Sequence, residues 1–563
     1  MGTLRRSARQ LARRTGLVAV ILSTIFLVCV GAAAAETAPG LTFLHTRGED
    51  IVNEQGQKVL LRGLGLGNWF LPEGYMWKFG QRADRPRRIE QLTQELLGPD
   101  AASRFWHEFR RNYITQADIQ RLAQLGYNSV RPALNSRLFL TASGGCTGNE
   151  EGFVLLDNLV QWCKAAGVYV IVDMHAAPGG QTGANIDDSA ADKPELFMEP
   201  KYETQLTELW QALARRYKDE PTVAGYDLLN EPLPERTGAA KAYKDRLEPL
   251  YQRLTKAIRE IDPRHMIILE GADWANEWSV FTRPFDPNLV YEFHYYCWNN
   301  PTVVNSIQKY LDYRTKLGAP IWGGETGEKD DAIYWATTAY FEANNVGWSF
   351  WPWKKMDARN APCSVKPPGG WAAVTAYSRG GAKPARAAAQ QAFDELLANI
   401  RLDNCVFNPD VVAATLRRVP ARIEAANFDP GGQDTGYSVH EPKYRSASYR
   451  PSEAVPITQV PMGRWQTERY ITLQPGEWTA YTFSSPTTGA YNLTMRVRAK
   501  ADSAQAQVLI GDQARTLQVT STAWTEIKLD PLQLNSGTNR LKWSVSQGPV
   551  ELEWLEFSQK HAE

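Results

Sequence analysis

The sequence predicts an α/β protein in which a (β/α)8 TIM barrel is followed by an antiparallel β-sandwich. Three observations lead to this prediction: short apolar strands alternate with helical segments, eight such strands can be counted, and polar residues cluster where the strands end. Continuous apolar strands separated by helices are typical of a parallel sheet buried on both faces. Eight of these units in about 350 residues fit a barrel with insertions.

The barrel strands and helices can be placed along the chain from the apolar pattern alone. The predicted strands are Val59–Trp69, Tyr127–Leu134, Val168–His175, Val223–Asn230, Met266–Gly271, Leu289–Tyr296, Ile321–Thr326 and Val346–Trp351. The predicted helices are Gln116–Leu125, Glu151–Ala166, Tyr202–Tyr217, Ala240–Ile261, Val304–Leu317, Asp331–Asn344 and Ala387–Asn399.

Size and charge restrict the class of protein. The chain has 563 residues, which is long enough for more than one core. Its 62 Lys and Arg residues balance 62 Asp and Glu residues, so no net charge attracts the chain to nucleic acid or anionic lipid. The 19 Trp and 23 Tyr residues hint at carbohydrate, because sugar rings present apolar faces that stack on aromatic side chains.

The first 35 residues are typical of a secretory signal peptide. Five arginines precede an apolar run over Gly16–Val30, and Ala33–Ala35 offers a cleavage site. The apolar run is about 15 residues long, shorter than the roughly 20 residues that span a bilayer. We therefore expect a secreted, periplasmic or cell-envelope protein with no stable membrane span after cleavage, and an uncleaved anchor is the alternative.

Polar residues occupy the carboxyl ends of most predicted strands. In a barrel these ends meet at one mouth, where active sites are built. Pairing within a structural network would explain one or two buried polar residues, but not a set at corresponding positions. The set comprises Arg131, His175, Asn230, Glu231, His294, Tyr296, Glu325 and Trp351.

Several of these residues lie in motifs that resemble glycoside hydrolase family 5 of clan A. The motifs are Asp227–Pro232 (DLLNEP), Gly324–Gly327 (GETG), Gly126–Arg131 (GYNSVR), His294-x-Tyr296 and Trp348–Trp351 (WSFW). They occur in the family's order, and the resemblance covers residues 45 to 400. A catalytic domain is therefore expected over 41–405.

The resemblance implies a secreted retaining hydrolase that cleaves O-glycosidic bonds by double displacement. Glu231 would be the acid/base, with its pKa raised by burial and by the charge of Glu325. Glu325 would be the ionised nucleophile, held by Arg131 and Tyr296. Glu328 and Glu235, the alternative carboxylates, are expected to face a loop and solvent.

The remaining motif residues would bind the sugar at the cleaved bond. Asn230 would bond its 2-hydroxyl, His175 would bond the same sugar and Trp351 would lie beneath the ring. His294 would orient Glu231. No catalytic metal or cofactor is expected.

The loops after the first and third strands resemble those of exo-β-1,3-glucanases in this family. The resemblance implies exo action on a β-glucan-like glycan, in which Glu73 and Asp187 or Asp188 would hydrogen-bond to sugar hydroxyl groups. Both loops depart from that subfamily's sequences, so an α-L-arabinofuranosidase or β-galactofuranosidase remains an alternative. A transglycosylase or a non-catalytic carbohydrate-binding protein would also fit these residues, and we expect a monomer.

The C-terminal region changes in composition after a linker predicted over 406–420. From 421 to 560 the pattern is short alternating strands: Trp478–Phe483, Tyr491–Val497, Ala506–Ile510, Thr525–Leu529 and Asn539–Ser544. Arg422–Phe428 and Gly476–Tyr481 resemble a carbohydrate-binding module of family 6 or 35, which implies a structural calcium at Glu424 and Glu553. Ala426 and Glu553 depart from that family's usual residues, so the calcium is left open.

The C-terminal domain also offers aromatic residues for sugar stacking, and a purely structural sandwich is the alternative. These candidates are Tyr437, Tyr444, Tyr449 and Trp465. Five cysteines follow Cys29, an odd number, and Cys363 with Cys405 is a plausible disulfide.

Overall fold

Eight parallel strands form a closed barrel in the computed structural model, which describes residues 40–297, 307–444, 449–462 and 467–559. The strands pair in chain order, and the eighth closes on the first, so the predicted barrel is confirmed. The expected signal peptide and Trp465 lie outside the described residues. The strands are β1 (Arg62–Leu66), β2 (Ser129–Asn135), β3 (Tyr169–Ala176), β4 (Val223–Asp227), β5 (Met266–Glu270), β6 (Leu289–Tyr295), β7 (Ile321–Gly327) and β8 (Gly347–Trp351).

Helices surround the barrel and end at residues that suit helix termini. Thr115 and Asp118 form a capping box at the start of one helix, and Gly126 ends it in the left-handed region. Two helices between β1 and β2, over Pro86–Leu97 and Pro99–Tyr113, were not predicted. The others are Gln116–Leu125, Glu151–Ala166, Pro200–Tyr217, Ala239–Tyr243, Leu247–Arg259, Gln308–Leu317, Asp331–Ala343, Trp371–Ser378, Arg386–Asn399 and Pro409–Thr415. Among the described residues, none of the helices combines the length and apolar character needed to cross a membrane.

Alternate residues of the barrel strands form two layers inside the barrel. On β3, Tyr169 and Ile171 belong to an apolar cluster, whereas Asp173 and His175, two and four residues further on, are buried polar groups. Because side chains alternate along a strand, these four share one face. The barrel therefore has an apolar floor and a charged layer above it. The floor comprises Leu44, Leu61, Tyr169, Ile171, Ala224, Met266, Ile268, Val290 and Trp322.

The C-terminal domain is built from two antiparallel sheets, as predicted. One sheet contains, in order, Ile457–Pro461, Thr467–Leu473, Val550–Gln559, Gly489–Ala499 and Thr525–Lys528, with Ala421–Glu424 and Leu532–Leu534 paired at its side. The other contains Tyr437–Ser438, Trp478–Ser485, Gly537–Gln547, Ala504–Ile510 and Gln513–Val519. Smaller strands lie outside both domains' main sheets: His45–Arg47, Asp50–Val52, Lys354–Met356, Cys363–Val365 and Val406–Phe407.

The segment predicted as a linker contains a helix instead of an extended connection. The helix Pro409–Thr415 buries Val411 and Val412 and contacts the barrel helix Asp331–Ala343. Its apolar side chains favour packing over exposure to solvent. The sandwich also contacts that barrel helix, because Asn427 Nδ2 donates to the Ala332 carbonyl oxygen at 2.9 Å.

The disulfide expected between Cys363 and Cys405 is not formed. Both are free thiols in the structure, as are Cys146, Cys163 and Cys297. Cys405 Sγ lies 3.5 Å from the carbonyl oxygen of Asn399. The prediction was wrong because sequence spacing does not specify how two side chains are directed.

Candidate active site

The strand-end residues predicted from the sequence meet at one cavity of about 810 Å³. Arg131 and Asn230 lie buried beside it, and the other six form part of its wall. The lining comprises Glu73, Tyr75, His175, Asn185, Ile186, Glu231, Arg236, Trp274, Asn276, His294, Tyr295, Tyr296, Cys297, Lys309, Tyr310, Glu325, Glu328 and Trp351.

Glu231 is held by contacts to both its backbone and its carboxyl group. Its backbone has a φ of 45°, in the left-handed region, and its N–H donates to Glu270 Oε2 at 2.7 Å. His294 Nδ1 lies 2.7 Å from Glu231 Oε1. Burial lowers the pKa of His294, but Glu270, Glu325 and Glu231 outweigh that effect and raise the pKa well above its usual value. A protonated His294 can therefore donate a hydrogen bond to Glu231 Oε1.

Glu325, on β7, is bound through both carboxylate oxygens. Arg131 Nη1 lies 2.7 Å from Oε1, and the Tyr296 hydroxyl donates to Oε2 at 2.8 Å. Burial raises the pKa of Glu325, whereas His294 and Arg131 oppose that rise. One oxygen each of Glu231 and Glu325 and a ring nitrogen of His294 lie within 4.8 Å of one another. The carboxyl groups of the two glutamates therefore lie close together at the cavity.

Arg131 is surrounded by acidic groups at the centre of the barrel. Its guanidinium contacts Asp227 at 2.7 Å, Glu270 at 2.9 Å, Asp173 at 3.2 Å and Glu292 at 3.5 Å, besides Glu325. All four carboxylates are fully buried. A protonated His294, 3.2 Å from Glu292, is a second cation here, and two cations still leave five carboxylates under-neutralised, which favours protonation of some of them.

The pKa values of the acidic layer reflect this imbalance. Burial raises the pKa of Asp173 to about 8, against the lowering effect of Arg131. Burial also raises the pKa values of Asp227 and Glu292 well above the usual range. Asp173, Glu270 and Glu292 were missed as site residues. Their positions on the inward face of β3, β5 and β6 are the signal that could have found them, because an acidic residue there interrupts an apolar alternation.

His175 and Trp351 form a stacked pair on one wall. Their ring centroids are 5.3 Å apart with an interplanar angle of 3°. His175 Nδ1 lies 2.7 Å from Asp173 Oδ2, and burial lowers the pKa of His175 to about 4, so its ring is neutral at neutral pH. A Cβ at Gly65 would lie 2.2 Å from Trp351 Cε3, so only glycine lets the strand approach the indole this closely.

Glu73 borders the cavity and is 3% exposed. Its Oε1 has no hydrogen-bond partner among the described residues. Burial raises the pKa of Glu73 well above its usual value, and Glu325 and Glu328 raise it further. Glu328 also lines the cavity and pairs with Lys355 at 2.5 Å, so the expectation that it faces a loop was wrong.

The third-strand loop does not place Asp187 or Asp188 in the cavity wall. Asp187 is fully buried and accepts hydrogen bonds from the Thr182 N–H at 2.8 Å and the Ser189 N–H at 2.9 Å. Asp188 pairs with Arg137 at 2.5 Å. Asp187 thus holds its own loop, whereas Asp188 binds an arginine outside that loop. The prediction that either carboxylate binds sugar hydroxyls was wrong. Residues 185 and 186 of the same loop line the cavity instead.

Each of the two predicted calcium ligands forms an ion pair with an arginine. Arg469 lies 3.1 Å from Glu424, and Arg496 lies 2.6 Å from Glu553. Guanidinium groups in contact with both carboxylates do not fit a calcium site, because they repel the cation.

Two of the predicted sugar-stacking aromatics pack inside the sandwich. Tyr437 and Tyr449 are buried, and the Tyr449 hydroxyl donates to Asn427 Oδ1 at 2.7 Å. Tyr444 is exposed.

Part of the barrel matches a model of a known protein family. Residues 94–357 match the family model for Cellulase (glycosyl hydrolase family 5). A β-xylosidase from Phanerodontia chrysosporium is 28% identical over 304 residues, which are 51% of this chain and 62% of that protein. The match therefore spans less than two thirds of that relative. A glucan 1,3-beta-glucosidase from Lachancea kluyveri is 26% identical over 327 residues, 54% of this chain and 72% of that protein.

A crystal structure of endogalactoceramidase aligns with 91% of this chain and 100% of that chain, at 16% identity and a TM-score of 0.46. The family match and the named glycosidases agree with the geometry at the barrel mouth. Residues 94–357 of the barrel are therefore similar to glycoside hydrolases of family 5.

Proposed function

We propose that the protein is a retaining β-glycosidase that removes terminal sugars from a β-glucan-like glycan. The proposal depends mainly on the spacing of Glu231 and Glu325, whose nearest oxygens lie within 4.8 Å. Retaining glycosidases hold their two carboxyl groups about 5–5.5 Å apart, whereas inverting enzymes need about 6.5–9.5 Å to admit a water molecule. The short spacing favours retention.

The contacts of each glutamate suit the two steps of this mechanism. In the first step Glu231 gives its proton to the glycosidic oxygen, Glu325 bonds to the anomeric carbon and the bond to the leaving group breaks. In the second step water gives a proton to Glu231, its oxygen bonds to the anomeric carbon and the bond to Glu325 breaks. Arg131 and Tyr296 hold Glu325 as the carboxylate that attacks.

Glu73 and Trp351, which both line the cavity, are the residues that favour exo action. Glu73 lines the cavity, and its buried Oε1 has no hydrogen-bond partner among the described residues, so we expect it to bind a sugar hydroxyl. The Trp351 indole lines the same cavity and would stack on the sugar ring. Two relatives named β-xylosidase and glucan 1,3-beta-glucosidase support a β-linked glucose or xylose as the terminal sugar. Secretion through residues 1–35, a monomeric state and independence from a cofactor are part of the same proposal.

The test is hydrolysis of 4-nitrophenyl glycosides by the wild-type protein and three variants. The panel contains β-glucoside, β-xyloside, β-galactofuranoside and α-arabinofuranoside. Glu325→Ala and Glu231→Ala remove the two catalytic carboxyl groups, and Glu235→Ala is the matched control, because Glu235 is exposed in the loop after Glu231. Proton NMR of the first product identifies its anomeric configuration.

We expect release of a β-configured sugar by the wild type and by Glu235→Ala, but not by Glu325→Ala. Azide should restore turnover of Glu325→Ala and give the α-glycosyl azide, because it enters where the carboxylate is missing. An α-configured first product would refute retention. Activity restricted to a furanoside would replace the proposed sugar, and inactivity on the panel and on β-glucans with intact sugar binding would indicate a binding protein.

A further inference from the structure

Glu270, the last residue of β5, is a fully buried carboxylate that contacts several groups of the active site. Its Oε2 accepts a hydrogen bond from the Glu231 N–H at 2.7 Å. Its Oε1 lies 2.9 Å from Arg131 Nη2 and 3.4 Å from His294 Nε2. The Tyr251 hydroxyl donates to the backbone carbonyl oxygen of Glu270 at 2.9 Å, which fixes the end of the strand. Glu270 therefore connects the backbone of the acid/base, the histidine beside it and the cation that binds the nucleophile.

The hydrogen bond to the Glu231 N–H supports a backbone conformation that few residues other than glycine adopt. Glu231 has a φ of 45°, and a side chain in this left-handed region is unfavourable unless surrounding contacts enforce it. A buried N–H without an acceptor would add a further cost. Because the backbone conformation sets the direction of the side chain, the acceptor that Glu270 supplies helps to direct the Glu231 carboxyl group into the cavity.

The same carboxylate supplies negative charge beside His294. Two acids lie near His294 Nε2, Glu292 at 3.2 Å and Glu270 at 3.4 Å. Burial raises the pKa of Glu292 well above its usual value, which favours the neutral acid. Burial acts in the same direction on Glu270, but His294, Arg131 and the Glu231 N–H outweigh it and lower the pKa of Glu270. An ionised Glu270 stabilises the protonated His294 that donates to Glu231 Oε1.

We propose that Glu270 is a positioning residue for acid catalysis, which acts through Glu231 and His294 on the protonation of the leaving group. This inference rests on the proposed glycosidase function and extends it, because it assigns a further buried carboxylate to one half of the mechanism. Positioned proton transfer contributes about 10²–10⁴-fold to rates, and a misplacement of about 1 Å can cost about 10²-fold. Loss of Glu270 should therefore resemble a partial loss of Glu231.

The test measures how strongly kcat/KM depends on the basicity of the leaving group. The substrates are 2,4-dinitrophenyl β-glucoside and phenyl β-glucoside, or their counterparts for the sugar that the panel identifies. Dinitrophenolate leaves without a proton, whereas phenolate needs one from the enzyme. The ratio of the two kcat/KM values does not depend on how much of a preparation is folded, so it separates a catalytic effect from a loss of stability.

The main variant is Glu270→Gln, which removes the charge and keeps the shape of the side chain. Asp227→Asn is the matched control, because Asp227 is also a buried carboxylate and binds Arg131 at 2.7 Å. In the part of the chain that the structure describes, Asp227 has no hydrogen bond or ion pair with Glu231 or His294. Glu231→Ala shows the ratio that a complete loss of acid catalysis produces.

We expect Glu270→Gln to raise the ratio of dinitrophenyl to phenyl activity about tenfold or more, toward the value of Glu231→Ala. Asp227→Asn should change the ratio less than threefold, whatever its effect on the two rates. Equal losses on both substrates in Glu270→Gln, or an equal change of the ratio in Asp227→Asn, would overturn the proposal.

A milder variant covers the case in which Glu270→Gln does not fold. Tyr251→Phe removes the hydrogen bond to the Glu270 backbone and should raise the same ratio about twofold to fivefold. An unchanged ratio in Tyr251→Phe would then overturn the proposal. A wild type that hydrolyses neither leaving group for any sugar of the panel would instead refute the glycosidase function, and with it this inference.

Discussion

Replacing Asp173 with asparagine tests the conclusion that part of the acidic layer is protonated in the folded protein. Asp173 is fully buried, contacts Arg131 at 3.2 Å and has one oxygen without a hydrogen-bond partner among the described residues. Its pKa is raised to about 8 by burial. Asparagine has nearly the same shape as the protonated carboxyl group but cannot ionise.

The expected effect follows from the protons bound in each state. Between its unfolded pKa and its folded pKa, Asp173 is protonated in the folded state and ionised in the unfolded state, so stability falls as pH rises. The slope for one proton is about 1.4 kcal/mol per pH unit, which gives a loss of about 2 kcal/mol between pH 6.5 and 8. Asp173→Asn should remove this loss.

The range from pH 6.5 to 8 avoids the titration of His175, which changes stability in the opposite direction to that of Asp173. His175 has a pKa lowered to about 4, so its stability contribution is lost as pH falls from the unfolded value near 6.5, and it has no slope above that pH. His294, with a raised pKa, also loses its contribution as pH rises above about 6.5, but it does so in both proteins. The difference between wild type and variant therefore reports Asp173.

The assay is urea unfolding at pH 6.5, 7.2 and 8.0, followed by near-ultraviolet circular dichroism. Asp219→Asn, at a surface carboxylate whose side chain is 78% exposed, is the control and should keep the wild-type slope. The reasoning is refuted if wild type and Asp173→Asn lose stability equally over this range, because Asp173 would then be ionised in the folded state.

Three further substitutions test the site and the domain contact. Tyr296→Phe removes a 2.8 Å hydrogen bond to Glu325, so kcat/KM on an aryl glycoside should fall about tenfold to a hundredfold with no change in the unfolding midpoint; unchanged kinetics would argue against Tyr296 as a positioning residue. Arg131→Met leaves the acidic layer without its central cation and should lower the free energy of unfolding by about 3–5 kcal/mol or more in urea titrations. A variant as stable as the wild type would contradict that role. Tyr449→Phe removes the hydrogen bond to Asn427, next to the barrel contact, and should lower the free energy of unfolding by about 1–3 kcal/mol while kcat stays at the wild-type value; a loss of kcat would show that the contact also shapes the active site.

Sequence patterns predicted the features of the fold that local physical chemistry determines. All eight barrel strands were found because a strand buried on both faces must be continuously apolar, and their ends were visible because polar residues interrupt that pattern. The sequence was enough to group Glu231, Glu325 and their neighbours, because parallel strands bring their carboxyl ends to one rim.

Loop residues were predicted less well because a loop side chain can turn toward the cavity or toward its own backbone. Asp187 binds its own loop, whereas Glu328 lines the cavity, the reverse of what was expected for each. The same limit explains why a calcium site at Glu424 and Glu553 was left open from sequence, although each carboxylate pairs with an arginine from another strand.

The sequence by itself determined the barrel, the sandwich and the pair of glutamates, because each depends on periodicity or on position along a strand. Only the tertiary structure decided the acidic layer around Arg131 and the stacked pair of His175 and Trp351. Both depend on distances between residues far apart in the chain, and on burial, which sets the charge of a carboxyl group and cannot be read from its neighbours in sequence.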